Sequence, residues 1–243
     1  MMKISMDLSV VKTIFFDVGN TLLLPNPSVE DVCMEILEGH GLSVGKKELI
    51  FALEKADRYY EDQYWKDDRF WLREVDTAKF WASLYELMLI EVGSEDSAGE
   101  ISMEIYNAFG KGHRWQPFPD VVPVFKKLVG NGYSLGLISN WDTRLATLMI
   151  ETGLSEYLDF VVSSASVGFL KPQPQIFEIA LERAEALAIE SIHVGDHYYA
   201  DIIGARSVGI TPVLLDRNSK VDSSDCLLIR DLHELFDHLE ANI

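Results

Sequence analysis

The sequence predicts an α/β protein: a doubly wound, mainly parallel sheet with an all-helical segment inserted after its first strand. Three observations predict it. Short runs rich in Val, Ile and Leu recur along the chain, and from residue 120 onward they alternate with stretches of helical periodicity. Between the first run and the second, residues 27 to 113 carry only helical pattern. Runs apolar on both faces, joined by helices, imply right-handed crossovers and a sheet covered on both sides.

The first run, "VKTIFFDV" (11–18), is the first strand. The insert follows as four amphipathic helices, at 29–41, 46–66, 74–93 and 96–112, whose Leu, Ile, Phe and Met recur near every 3.6 residues. Four such helices shield their apolar faces by packing together, so 27–113 is expected to be a cap domain, with 1–26 and 114–243 forming the core domain. The segments "LLPNPS" and "HRWQPFP" are its two connections, and their prolines suit exits from regular structure. Beyond them come a helix at 120–132, a strand at 133–139, a helix at 142–153 and a strand at 159–165. A helix at 174–186, a strand at 191–196, a helix at 200–209 and strands at 211–216 and 225–230 complete the series. Gly153 and Gly209 follow the last periodic residues of their helices and suit left-handed caps.

A chain of 243 residues that is 48% apolar can bury a sizeable core. Its formal charge of −18 opposes a polyanionic duplex, so nucleic acid is not an expected partner, and a small phosphorylated substrate would need a metal ion or a focused cation. Cys33 and Cys226 are isolated and make no zinc-type spacing. The start "MMKISMDLSVVK" lacks a long apolar region, and no run reaches the ~18 apolar residues of a membrane span. A cytoplasmic protein away from the membrane, monomer or homodimer, is the expectation.

In an open parallel sheet, ligands bind beyond the carboxyl ends of the strands. There the sequence places Asp17 after the first strand, Ser139 and Asn140 after the second, and Asp196 after the fourth, with Asp201 five residues on. The loop "VGFLKPQP" delivers Lys171 ahead of the helix that opens near Pro174. Each residue alone has a plain structural reading: Ser139 begins a turn, Asp142 caps a helix, Lys171 is a solvated loop lysine, Asp201 favours a helix dipole. The ordered set of carboxylate, hydroxyl, lysine and acidic pair at one end of one sheet changes that weighting.

Through "FFDVGNTLL", "LISNWD", "GFLKPQPQIF" and "HVGDHYYADIIGARSVG", spread over residues 15–209, the sequence resembles the haloacid dehalogenase superfamily, whose members are mostly phosphatases. The resemblance implies a Rossmann-like core, with the helical insert as the cap that many members carry. It also implies that Asp17 is the nucleophile, forming an aspartyl-phosphate that water cleaves. Ser139 and Lys171 would stabilise the phosphoryl group, Thr21 and Asn140 would border the substrate, and Asp17, Gly19, Asp196 and Asp201 would hold Mg2+. The expected function is a magnesium-dependent phosphatase acting on a small phosphorylated metabolite.

One position departs from the pattern. Most phosphatases of the superfamily carry a second aspartate two residues after the nucleophile, and here Gly19 stands there. Absence of a general acid costs about 10²- to 10⁴-fold, and less for a good leaving group. Three outcomes follow: another proton carrier such as His113, water bound to Arg114, or His197; substrates that need little protonation; or a feeble hydrolase. The aromatic stretch holding Tyr59, Tyr60, Tyr64, Trp65, Phe70 and Trp71 is read first as helix packing and second as a surface that closes over substrate. Two alternatives stand beside the phosphatase: a metal-independent 2-haloacid dehalogenase, against which the acidic pair speaks, and a degenerate binding protein that lacks catalysis.

Overall fold

The computed structural model describes residues 8–240; residues 1–7 and 241–243 of the expected core domain lie outside the described residues. Six strands form one parallel sheet: β1 (Thr13–Phe16), β4 (Ser134–Ser139), β5 (Phe160–Ser163), β6 (Ser191–Gly195), β7 (Thr211–Leu215) and β8 (Leu227–Ile229), in spatial order β5-β4-β1-β6-β7-β8. All five pairings are parallel. The chain winds outward from β1 to β4 and β5, then returns to β6 on the other side of β1. That reversal opens a crevice at the carboxyl end of the central strand, the place where such sheets bind ligands.

β1 shows why its sequence is unbroken in hydrophobicity. Successive strand residues face opposite sides, and each side is roofed. Ile14 and Phe16 pack with α5 (Val121–Gly130), α6 (Leu145–Glu151) and α10 (Leu232–Glu240), whereas Phe15 packs with α8 (Pro174–Ala184) and α9 (Gly204–Ser207) on the other face. Ile14, Phe15 and Phe16 are fully buried. Pro174 occupies the first turn of α8, where its missing N–H has no helical partner to lose. Gly153 and Gly209 take positive φ values of 75° and 83°, as left-handed caps require.

Between β1 and β4 the chain forms α1 (Val29–Gly39), α2 (Lys46–Lys66), α3 (Glu74–Glu91) and α4 (Ala98–Ala108). Val32, Leu37, Leu49, Met88, Leu89 and Ile101 bury themselves in a hydrophobic cluster of their own, separate from the two clusters of the sheet. Ser28 caps α1 by accepting a hydrogen bond from the Asp31 N–H at 3.3 Å.

Four local expectations change. The two connections are more regular than their prolines suggest: β2 (Leu23–Pro25) and β3 (Trp115–Pro117) pair antiparallel, with Pro25 and Pro117 at the ends of the ladder, where an N–H is dispensable. The helix expected at 200–209 is instead a π-helical turn, Tyr198–Ile203, that runs into the short α9. A four-residue helical turn, α7 (Ser164–Val167), follows β5 where only strand was expected. Finally, α10 closes the fold after β8; Leu232, Leu235, Phe236 and Leu239 are its buried face, and the Asp231 carboxylate accepts the N–H groups of His233 and Glu234 at its start.

Candidate active site

Asp17 follows the last residue of β1, and its backbone N–H donates to the Val194 carbonyl of β6 at 2.9 Å, so the nucleophile candidate is tied to the neighbouring strand as well as its own. Its side chain is nearly buried. Ser139, at the end of β4, donates its hydroxyl to Asp17 Oδ1 at 3.0 Å. Lys171 donates to the same oxygen at 2.6 Å and to Asp201 Oδ1 at 2.5 Å. The Lys171 side chain is only 2% exposed, so this ammonium is a buried strut between two carboxylates, not a loop lysine in solvent.

The loop that delivers Lys171 is held by Asn140. The Lys171 N–H donates to Asn140 Oδ1 at 2.7 Å, and Asn140 Nδ2 donates back to the Lys171 carbonyl at 3.0 Å. Asn140 does line the cavity above Asp17, as expected of a residue bordering substrate, but both ends of its amide are engaged with this backbone. Thr21 is fully buried beneath the site, its hydroxyl 3.4 Å from Asp196 Oδ1. Gly19 also lines the cavity, and a Cβ there would meet the Trp141 ring at 3.5 Å, an ordinary contact that leaves room for a side chain.

Asp201 is brought under the sheet by the π-helical turn. The His197 N–H donates to Asp201 Oδ2 at 3.0 Å, and the Asp201 N–H donates to the His197 carbonyl at 2.8 Å. Inserting an extra residue into a helical turn rotates the following side chain, which is how such turns come to serve sites. Gly195 makes this possible, because a Cβ there would overlap the Asp201 carboxyl. His193, buried within β6, donates from Nε2 to Asp201 Oδ1 at 2.9 Å, and its Nδ1 has no partner among the described residues.

Burial holds His193 below its ordinary pKa, hence neutral at pH 7. Burial alone would lower Lys171, but Asp17 and Asp201 outweigh it and hold the ammonium charged. Burial would likewise raise Asp201, yet Lys171 and the His193 hydrogen bond keep it ionised. Asp196 is different: burial, then the charges of Asp17 and Asp201, push it up to about 8. One ammonium therefore faces three carboxylates, and one oxygen from each of Asp17, Asp196 and Asp201 lies within 4.8 Å of the others. An all-oxygen set short of positive charge fits a hard divalent cation such as magnesium better than zinc.

The proton carriers considered on position do not reach this centre. His113 is exposed, Arg114 donates two hydrogen bonds to Glu35, and neither lines the cavity above Asp17. The His197 ring accepts the Ala200 N–H at Nδ1 and packs against Tyr64, 5.4 Å between centroids. Asp142 accepts the Arg144 N–H and guanidinium and the Tyr106 hydroxyl, so it ties the insert to the loop after β4 as well as opening the turn before α6. The aromatic stretch divides: Phe70 stacks on Phe80 within the insert at 3.7 Å, whereas Tyr60 and Trp71 face the cavity and Trp65 rests on Tyr199 of the core. His193 was the site residue without a sequence signal beyond being a polar ring in an apolar strand.

The model of the haloacid dehalogenase-like hydrolase family matches residues 11–209. The chain is 30% identical over 240 residues to haloacid dehalogenase-like hydrolase domain-containing protein 3 of Danio rerio, covering 96% of this chain and 98% of the relative. Over 128 residues, 52% of this chain and 51% of the relative, it is 34% identical to a glyceraldehyde 3-phosphate phosphatase of Methanothermobacter thermautotrophicus. Among solved structures it is similar to a HAD phosphatase from Thermococcus onnurineus, with TM-score 0.65, 26% identity and coverage of 94% and 98%. It is as similar to a 2-haloacid dehalogenase from Pseudomonas syringae, with TM-score 0.65, 26% identity and coverage of 95% and 98%.

Gly195→Ala places a methyl group where the Asp201 carboxyl sits. Overpacking of this kind costs about 1–3 kcal/mol. Urea unfolding should show a loss in that range, and an unchanged midpoint would mean that Asp201 does not pack against Gly195.

Proposed function

The chain belongs to the haloacid dehalogenase-like hydrolases, and from that premise we propose that it is a magnesium-dependent phosphatase of a small cytoplasmic metabolite, working through an aspartyl-phosphate on Asp17. The observation that carries this reading is the sharing of Asp17 Oδ1 between Ser139 and Lys171. With one oxygen so held, Oδ2 has no donor among the described residues and is the oxygen left to attack.

Magnesium would be held by Asp17, Asp196 and the Gly19 carbonyl. It would supply the charge neutralisation that lets an anionic nucleophile approach a phosphate. Asp196 rather than Asp201 is the better direct ligand, because both Asp201 oxygens are already accepting from Lys171, His193 and His197, whereas the one side-chain donor to Asp196 among the described residues is the long Thr21 contact. Asp201 then serves by keeping Lys171 charged and aimed. Lys171 and Ser139 orient the nucleophile, and their positive and dipolar charge meets the transferring phosphoryl group. Water would complete the cycle by hydrolysing the acyl phosphate on Asp17.

Residues 27–113 are read as a cap over a core made of 1–26 and 114–243. The separate hydrophobic cluster of the four helices supports that division, and the β2–β3 ribbon is where the two connections meet. The acidic trio favours phosphate over halide chemistry, because a carboxylate that attacks carbon needs no cation beside it.

Asp17→Asn keeps the shape of the side chain and removes the nucleophile. Phosphate release in magnesium buffer should fall at least about 10³-fold with folding intact, and halide release from 2-haloacids should be absent from both proteins. Undiminished phosphate release would exclude the mechanism, and halide release by the parent protein would favour the dehalogenase. Gly19→Asp fills the space beside Trp141 with an acid. It should raise turnover of alkyl phosphates by about 10²-fold, and a folded variant without gain would show that protonation at this place is not limiting.

A further inference from the structure

The cavity above Asp17 encloses about 550 Å³ and extends from Gly19 and Ser139 into the helical insert. Four of the five tryptophans of the chain line it: Trp71, Trp81, Trp115 and Trp141. Tyr60 adds its ring to the same wall, stacked on Trp81 at 5.6 Å. Aromatic walls of this extent bury flat apolar groups, and their faces attract cations.

The charges on the walls are as selective as the rings. Arg144 is the one cation among the lining residues, and it is spent: its Nη2 donates to Asp142 at 2.5 Å, and its guanidinium lies 3.9 Å from the centroid of the Tyr106 ring. Asp57, on α2, lines the cavity with no hydrogen bond or ion pair to any described residue. Asp57 is exposed where it borders the cavity, and partial desolvation with the nearby Glu61 and Glu54 raises its carboxyl. A substrate with a second phosphate or a carboxylate would find no free cation among the described residues of the lining, whereas an amine would find Asp57 and the ring faces.

We propose that the leaving group of the substrate is an aromatic alcohol without a second anion, seated among these tryptophans and favoured when it carries an amine that meets Asp57. The proposal rests on the phosphatase reading and deepens it. It also accounts for Gly19. As an Asp17 oxygen bonds to phosphorus, the bond from phosphorus to the aryl oxygen breaks, and the electron pair leaves on that oxygen. A phenol, with a pKa of roughly 10, accepts that charge without a proton from the enzyme and takes one from water afterwards. Water then attacks phosphorus, freeing Asp17 and releasing phosphate.

The test uses the full chain in magnesium buffer and three probes of one shape: 4-(aminomethyl)phenol, phenol and 4-hydroxybenzoate. Titration calorimetry gives their binding, and phosphate release from their phosphate esters gives their turnover. The amine should bind at least about tenfold more tightly than the carboxylate, the scale of a single pocket contact. Asp57→Asn should reduce that ratio to near one. Phenyl phosphate should be cleaved faster than glycerol 3-phosphate. Equal binding of amine and carboxylate, a ratio that survives Asp57→Asn, or faster cleavage of glycerol 3-phosphate overturns the proposal. Ordered binding without phosphate release from any ester supports the cavity assignment and sinks the phosphatase reading, so the two fail separately.

Discussion

The Lys171 ammonium, lodged between Asp17 and Asp201, is the interaction on which the site depends. Taking a lysine out of water costs several kcal/mol, and only well-aimed partners offset that cost. Here the partners come from distant parts of the chain: a carboxylate from the end of β1, another from the π-helical turn after β6, and an amide from Asn140 that fixes the lysine backbone. The parallel sheet supplies the arrangement, because β4, β1 and β6 are neighbours and all end on one side. Removing any one of these elements would leave a buried charge without its partner.

The same geometry bears on the chemistry proposed for the site. Lys171 and Ser139 converge on one oxygen of Asp17, which distinguishes the two carboxylate oxygens. Asp201 is saturated by its donors while Asp196 is not, so the acidic pair divides into a support and a candidate metal ligand. Among its contacts with the core, the insert meets the loops after β4 and β6. Glu74 accepts the N–H and hydroxyl of Thr143 in the loop after β4, and Tyr64 and Trp65 rest on His197 and Tyr199 in the loop after β6.

Much of this was legible in the sequence, for a physical reason. The strands are buried on both faces, so they read as unbroken apolar runs, and the polar residues at their ends stand out against that background. Asp17, Ser139, Lys171, Asp196 and Asp201 were visible in this way, and the sheet does bring them together. What was illegible depended on contacts rather than pattern. His193 is a polar ring inside β6 whose purpose is set by Asp201, eight residues later. The π-helical turn at Tyr198–Ile203 has helical composition and differs only in the hydrogen bonds it makes. β2 and β3 are three residues each and exist because their chains meet. Helix α10 had the required spacing of Leu232, Leu235, Phe236 and Leu239, a signal that nine residues carry weakly. The tryptophans of the cavity come from four separate segments, and no local pattern marks them as one wall.

The most direct test of the central claim is chemical trapping of the intermediate. The protein would be mixed with an aryl phosphate in magnesium buffer, quenched in acid within the first turnovers, digested and examined by mass spectrometry. A single phosphoryl group on the peptide that contains Asp17 is the result expected. Turnover that proceeds with the phosphoryl group on another residue, or on none, would contradict it.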